Sequence, residues 1–294
     1  MRDETARSPA RVLARSALEK AAPGLFDEPP LGHFWLEHLV RTLAERDDAS
    51  THPWEICGVE DGSGRIPALY AVNTDTGYAM LQAVDARAAA ALLWWALHNK
   101  PPHKVLAPYF VLERAIEIAG LGDAVYRDHR ELCLQLTLGS LAVAPDWHYR
   151  LARRDDIPRL VEYNRLYNEE RKTNWTRDWE RAVASRVVYV RERDGKISSC
   201  LVRGALLIPW VSLGGVFTFP EFRGLGEATM LVANCCAEMS LSGLNVLLIV
   251  DDDNEPALRA YSKVGFTPAG LFRTTYFDAP ALGKRAPVRF PPRA

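Results

Sequence analysis

The sequence predicts an α/β protein made of two successive domains that repeat one order of elements. Three observations carry this expectation. The chain has 294 residues, and a domain commonly takes roughly 100–200. Apolar residues make up 48% and charged residues 25%, so either half can bury a core of its own. In both halves, apolar runs of period two alternate with stretches of helical period, in the order strand, helix, strands, helix, strand, helix, strand.

Residues 1–22 carry Arg2, Arg7, Arg11, Arg15 and Lys20 among alanines and serines. Asp3, Glu4 and Glu19 interrupt them and no apolar core follows, so the segment reads as an N-terminal extension rather than a targeting peptide. The first domain spans 23–140. Leu36, Leu39, Val40 and Leu43 fall on one face of a helix over 31–46. A strand over 54–60 ends in the turn Asp61-Gly62-Ser63-Gly64, and strands follow over 68–72 and 78–84. Asp85 is a natural N-cap for a helix over 86–98, which Pro101 and Pro102 end. A strand over 104–107, a helix over 109–119 and a strand over 131–138 complete this half.

The segment 139–146, with Gly139 and Pro145, reads as a linker. The second domain, 146–278, opens with a strand over 149–152 and a helix begun by Asp155-Asp156-Ile157-Pro158. Strands over 187–192 and 197–205 flank the turn Asp194-Gly195, and another covers 211–218. A helix over 226–241, a strand over 245–250, a helix over 255–263 and a strand over 270–277 follow. Residues 279–294 hold Pro280, Pro287, Pro291 and Pro292 without periodicity and read as a C-terminal arm.

Composition narrows the function. The formal net charge is −1, from 36 basic and 37 acidic residues with no basic stripe, which speaks against a nucleic-acid partner. No apolar run reaches the roughly 18 residues of a membrane span, so no membrane partner is expected either. Cys57, Cys133, Cys200, Cys235 and Cys236 are irregularly spaced and form no CxxC pair. They suggest neither a metal site nor a redox motif, and read as reduced, buried thiols of a cytoplasmic protein.

The residues that carry chemistry lie in two stretches. Residues 216–229 follow an apolar strand and open a helix, with Arg223, Gly224 and Gly226 at the junction. Glycine lets a backbone turn sharply and approach a ligand closely. The unpaired amides of a helix start favour an anion, so the expected ligand carries a phosphate or pyrophosphate. Thr229 can add a hydroxyl. Taken alone this signal is weak, because many helices begin with glycine for geometric reasons. There is no GxxxxGK[ST] loop, and Thr229 stands where a GxGxxG motif needs its third glycine. In the second stretch, residues 245–250 are continuously apolar, as in a strand covered on both faces. Asp251-Asp252-Asp253 ends the run, Asn254 caps the next helix, and Tyr261 lies two turns on, sharing a face with Asn254, Ala257 and Leu258.

Arg223-x-x-Gly226-x-Ala228 resembles the Arg/Gln-x-x-Gly-x-Gly/Ala signature of the GNAT acetyltransferase family, the superfamily of histone and aminoglycoside acetyltransferases. Asn254-x-x-Ala257-x-x-x-Tyr261-x-x-x-Gly265-Phe266 is similar to the second motif of that family, in the family's order and spacing. The resemblance covers residues 147–277. It implies a mixed, strongly twisted sheet splayed between its fourth and fifth strands, with acetyl-CoA wedged into the gap. It further implies that backbone groups of Phe217 and Thr218 pair with the pantetheine arm. Amides of Gly224, Leu225, Gly226, Glu227, Ala228 and Thr229, beside Arg223, would hold the pyrophosphate. Asn254 would face the cofactor arm, and Tyr261 would protonate the departing coenzyme A thiolate. The acceptor is then a primary amine on a small molecule or a peptide.

No general base stands out. Glu169, Glu170, Glu221, Asp251, Asp252 and Asp253 lie in suitable regions, but each also reads as a solvated surface carboxylate. Trp175 and Trp179 suit an acceptor pocket or a helix packing face equally well. In the first half the nearest counterpart of the glycine loop runs from Val84 and Asp85 through Ala91 without a glycine. If that half shares the fold, as in tandem members of the family, it is expected to lack a cofactor. Two functions stay open: an acetyl-CoA-dependent N-acetyltransferase, or a non-catalytic acyl-CoA-binding regulator. The presence of Tyr261 favours the first.

Overall fold

The computed structural model describes residues 10–26, 34–45, 52–173 and 176–278. Trp175 and the arm over 279–294 lie outside the described residues. The chain divides into two compact units, residues 1–132 with 270–294, and residues 133–269.

The elements up to the first crossing between units are β1 (Ala10–Arg11), α1 (Ala14–Glu19), α2 (Phe34–Ala44), β2 (Trp54–Val59), β3 (Ala68–Asn73), β4 (Tyr78–Ala83), α3 (Ala86–Asn99), β5 (Lys104–Pro108), α4 (Tyr109–Ala119) and β6 (Val125–Leu136). There follow β7 (Arg150–Leu151), α5 (Ile157–Arg171), α6 (Trp179–Ala184), β8 (Val188–Arg193), β9 (Lys196–Leu207), β10 (Trp210–Thr218), α7 (Glu227–Leu241), β11 (Asn245–Asp251), α8 (Glu255–Val264) and β12 (Thr267–Phe277).

In the first unit the strands run β1-β2-β3-β4-β5, with β12 next to β5. All neighbours are antiparallel except β4 and β5. The period of two in β3 sends Ala68, Tyr70 and Val72 into a core under α3 and α4. Leu69 and Ala71 go into a second core under α1 and α2. Asp85 caps α3 by accepting from the Ala88 amide at 2.8 Å. In the second unit the order is β7-β8-β9-β10-β11, with the end of β6 beside β11, and β10 and β11 are again the parallel pair. Leu160, Tyr163, Trp179, Val190, Val202 and Phe217 form the core under α5 and α6.

The structure departs from the sequence-based boundaries in three places. Residues 10–22 do not lie apart as an extension: β1 pairs with β2, and Ala17 is fully buried in the core that holds Leu25 and Val40. β6 begins at Val125 rather than 131, because its charged side chains find partners on β12. Arg273 and Thr275 bond Asp128, and Thr274 bonds Glu131. Residues 270–277 belong to the first unit, pairing with β5 from Phe272↔Pro108 to Tyr276↔Lys104. All five cysteines are buried and free. Among the described residues no helix is long and apolar enough to cross a membrane.

Candidate active site

The site grows from the parallel pair of the second unit. β10 and β11 pair at Trp210↔Asn245, Val211↔Val246 and Ser212↔Leu247. No pair follows, although both strands continue. A register shift between Gly214 and Phe217 on the β9 side bends β10 away. A cleft of about 600 Å³ opens where the two strands part. Val216, Phe217 and Thr218 form one wall, and Asn254, Ala257 and Tyr261 of the α8 segment form the other.

Strand alternation decides which backbone groups look into it. The Phe219 amide donates to Ser198 O at 3.0 Å, and Phe217 and Thr218 stand opposite Cys200 and Ser199. Phe217 therefore turns its peptide groups to β9, and Thr218 turns its own toward the cleft. The Phe217 ring itself is buried against Tyr163 and Phe219. The Thr218 carbonyl accepts from Arg223 Nε at 3.1 Å. Arg223 also lies over the Phe217 ring at 5.4 Å and donates to Glu170 at 2.6 Å.

The start of α7 closes one end of the cleft. Gly224 and Gly226 have φ of +77° and +79°, and a Cβ at either would meet nothing within 4 Å. The conformation, not crowding, is what calls for glycine. Gly226 is the N-cap, and no side chain caps the helix, so the amides of the first turn are left for a ligand. Gly224, Gly226, Ala228 and Thr229 line the cleft; Leu225 does not, and the residue is 53% exposed. Glu227 also borders the cleft, yet its carboxylate is 2% exposed and bonded to Arg191, Arg193 and Ser198. Burial alone would raise its pKa, but the Ser198 hydroxyl and the two guanidiniums outweigh that and hold it below the usual carboxylate range.

On the opposite wall Asn254 caps α8, accepting from the Ala257 amide at 3.4 Å. Tyr261 is 7% exposed and packs on Phe266 with ring centroids 5.8 Å apart. Burial, helped by Tyr167 and Cys236, pushes its pKa up, so the phenol keeps its proton at every physiological pH.

The carboxylates near the cleft are engaged with arginines. Glu170 pairs with Arg223, Asp251 and Asp253 with Arg171, Glu221 with Arg159, and Glu169 with Arg165. Trp179 turns inward, bonding Asn164 at 2.7 Å and packing on Tyr163, so it serves the core rather than a pocket wall. The sequence reading passed over Tyr167, Arg171, Arg259 and Lys263, which also line the cleft. Their signal was the four-residue spacing of each pair on α5 and α8, which puts both members on one helix face.

The corresponding place in the first unit differs. β4 and β5 also pair for three residues, Tyr78↔Lys104 to Met80↔Leu106. The space beyond is only about 10 Å³, lined by Trp35, Gln82, Pro108 and Phe272 among others. Trp35 meets Phe272 edge to face at 5.4 Å.

Residues 151–266 match the acetyltransferase (GNAT) family. A GNAT-family acetyltransferase from Colwellia psychrerythraea is similar over 92% of this chain and 100% of its own, with a TM-score of 0.57 at 13% identity. A tandem GNAT protein from the clavulanic acid biosynthesis pathway is similar over 91% of this chain and 98% of its own, with a TM-score of 0.57 at 15% identity. A Drosophila protein of known structure is similar over 92% and 98%, with a TM-score of 0.64 at 12% identity. No curated protein matches the chain. At such identities the structural likeness is one of fold. The chain thus carries a stretch, residues 151–266, that matches the acetyltransferase (GNAT) family, and its fold is that of GNAT proteins, tandem ones among them.

Proposed function

We propose that the chain is an N-acetyltransferase that carries an acetyl group from acetyl-CoA to a primary amine of a small molecule or peptide. The observation that carries this reading is the uncapped, glycine-turned start of α7, opening on the cleft between β10 and β11 with Tyr261 on the far wall. The residues fit the group they would hold. Amides from Gly224 to Thr229 suit a diphosphate. Arg223, Arg259 and Lys263 bring positive charge to the same cleft. The cleft-facing edge of β10 at Thr218, whose carbonyl also accepts from Arg223, suits the amides of a pantetheine arm, and Asn254 on the opposite wall is placed to face that arm. The first unit, with a capped helix and a filled gap, acts without a cofactor of its own.

Bound acetyl-CoA would supply a thioester whose carbonyl the amine attacks directly. Holding both reactants in one cleft removes much of the entropic barrier. Tyr261 stays protonated and stands in the cleft wall, which supports a role as the general acid that protonates sulfur as the C–S bond breaks. Such positioned proton transfer contributes roughly 10²–10⁴-fold. One observation favours a second reading, an acyl-CoA binder without catalysis: Glu170 in the cleft and Asp251 beside the cleft residue Arg171 are both tied to arginines, so neither is an obvious base for the amine.

The test is thermal unfolding with coenzyme A, followed by thiol release from acetyl-CoA over a panel of amines. Stabilisation together with amine-dependent thiol release supports the enzyme. Stabilisation with no release for any amine supports the binder. A chain that coenzyme A does not stabilise overturns both.

A further inference from the structure

A carboxylate at the first position of a helix meant to receive a diphosphate is an electrostatic conflict, since like charges at that range repel. Glu227 is the first residue of α7 and borders the cleft. Its carboxylate turns inward, where β8 meets it with two arginines. Arg191 Nε donates to one oxygen at 3.0 Å and Arg193 Nε to the other at 2.7 Å, while Ser198 Oγ adds a bond of 2.7 Å. The two arginines are not equivalent. Arg191 spends both terminal nitrogens on Asp146, at 2.8 and 2.7 Å, so its charge is shared between two carboxylates. Arg193 pairs with Glu227 alone among the described residues. The group of Asp146, Glu227, Arg191 and Arg193 sums to zero, and removal of Arg193 leaves one uncompensated negative charge at the start of α7.

We propose that Arg193 is a positioning residue for the diphosphate of coenzyme A, acting through Glu227, whose charge it cancels so that this helix start can accept an anion. The proposal rests on the cleft being the coenzyme A site. It assigns Arg193 no contact with the ligand. Nor does the tyrosine or the glycine loop depend on it; what depends on it is the sign of the field at the first-turn amides. The side chain of Arg193 is 43% exposed, so the compensation is partly screened and its loss is a graded effect rather than an all-or-none one.

The test is the Kd of coenzyme A, by titration calorimetry at low and high salt. Arg193→Gln raises Kd about tenfold at low ionic strength and less at high salt. Arg193→Lys keeps most of the affinity. Placing Glu227→Gln in the Arg193→Gln background removes the uncompensated charge and recovers most of what was lost. Three results overturn the proposal. One is an Arg193→Gln protein with unchanged Kd. Another is a double variant as weak as the single one, which would mean that Arg193 touches phosphate itself. The third is a weakening that tracks a lowered thermal midpoint and ignores salt, which would make the arginine a structural brace. A wild-type chain that binds no coenzyme A would instead remove the cleft assignment beneath the proposal, and the proposal with it.

Discussion

The two units thread the same elements in the same order, and each brings its fourth and fifth strands together as the parallel pair. They part company at the turn that follows the fourth strand. In the second unit that turn runs through Gly224 and Gly226 and leaves α7 uncapped. In the first unit it runs through Val84 and Asp85, and the Asp85 carboxylate already occupies the Ala88 amide. The gap between the strands follows suit, about 600 Å³ in one and about 10 Å³ in the other. The helix after the fifth strand differs in step. Seven residues past the cap at Asn254 stands Tyr261, while seven past the cap at Pro108 stands Ala115. The architecture is indifferent to the chemistry, which lives in a handful of backbone and side-chain positions.

The strongest way to break the comparison is to write the first unit's cap into the second. Gly226→Asp supplies a carboxylate that competes for the first-turn amides and repels phosphate. Aspartate is a good cap and tolerates a left-handed φ better than most residues, so the fold should survive. We expect coenzyme A affinity to fall by about 100-fold or more, roughly 2.7 kcal/mol, and ligand-induced stabilisation to vanish. Retention of tight coenzyme A binding would show that the α7 start is not the phosphate site.

The same contrast explains what the sequence disclosed. Periodicity located nearly every element, and the helix starts at Asp85 and Asn254 were readable because a cap is a local signal. The glycine loop was readable for the same reason. What escaped was non-local. β6 from Val125 looks like a charged loop, since its partners Arg273, Thr274 and Thr275 lie more than 140 positions away. The inward turn of Glu227 depends on Arg191 and Arg193, 36 and 34 positions earlier. The chain from 10 to 22 is too short to show a period, and only the burial of Ala17 reveals that it belongs to the first core.

Next in size is the contrast between Tyr261 and Ala115. Tyr261→Phe keeps the ring against Phe266 and removes only the hydroxyl. If the hydroxyl protonates sulfur, kcat falls by about 10²-fold with coenzyme A affinity nearly unchanged. The pH profile adds an independent check. The acid form exists below the pKa, and burial has raised that pKa above the ordinary tyrosine value. No falling limb from Tyr261 should therefore appear below pH of about 10. Wild-type-like kcat in the phenylalanine variant would demote the tyrosine to packing.

The smallest expected effect lies in the first unit, at Asp85→Ala. The carboxylate makes one capping bond, to the Ala88 amide at 2.8 Å, and carries a negative charge at the positive end of α3. Losing both costs about 1 kcal/mol, within the range measured for such caps. The loss should be local, because the rest of α3 is held by Ala89, Leu92, Leu93 and Ala96, all fully buried. Amide exchange in the first turn of α3 is the natural readout, and about 1 kcal/mol should speed it about fivefold. Asp85→Asn separates the two contributions, since asparagine still caps but brings no charge; most of the protection should return. The response of the protein to coenzyme A should not change in either variant. Freeing the amides does not make a phosphate site when Trp35 and Phe272 fill the gap between β4 and β5. A second coenzyme A bound by Asp85→Ala would mean that the cap alone closes the first unit, and that the aromatic filling is secondary.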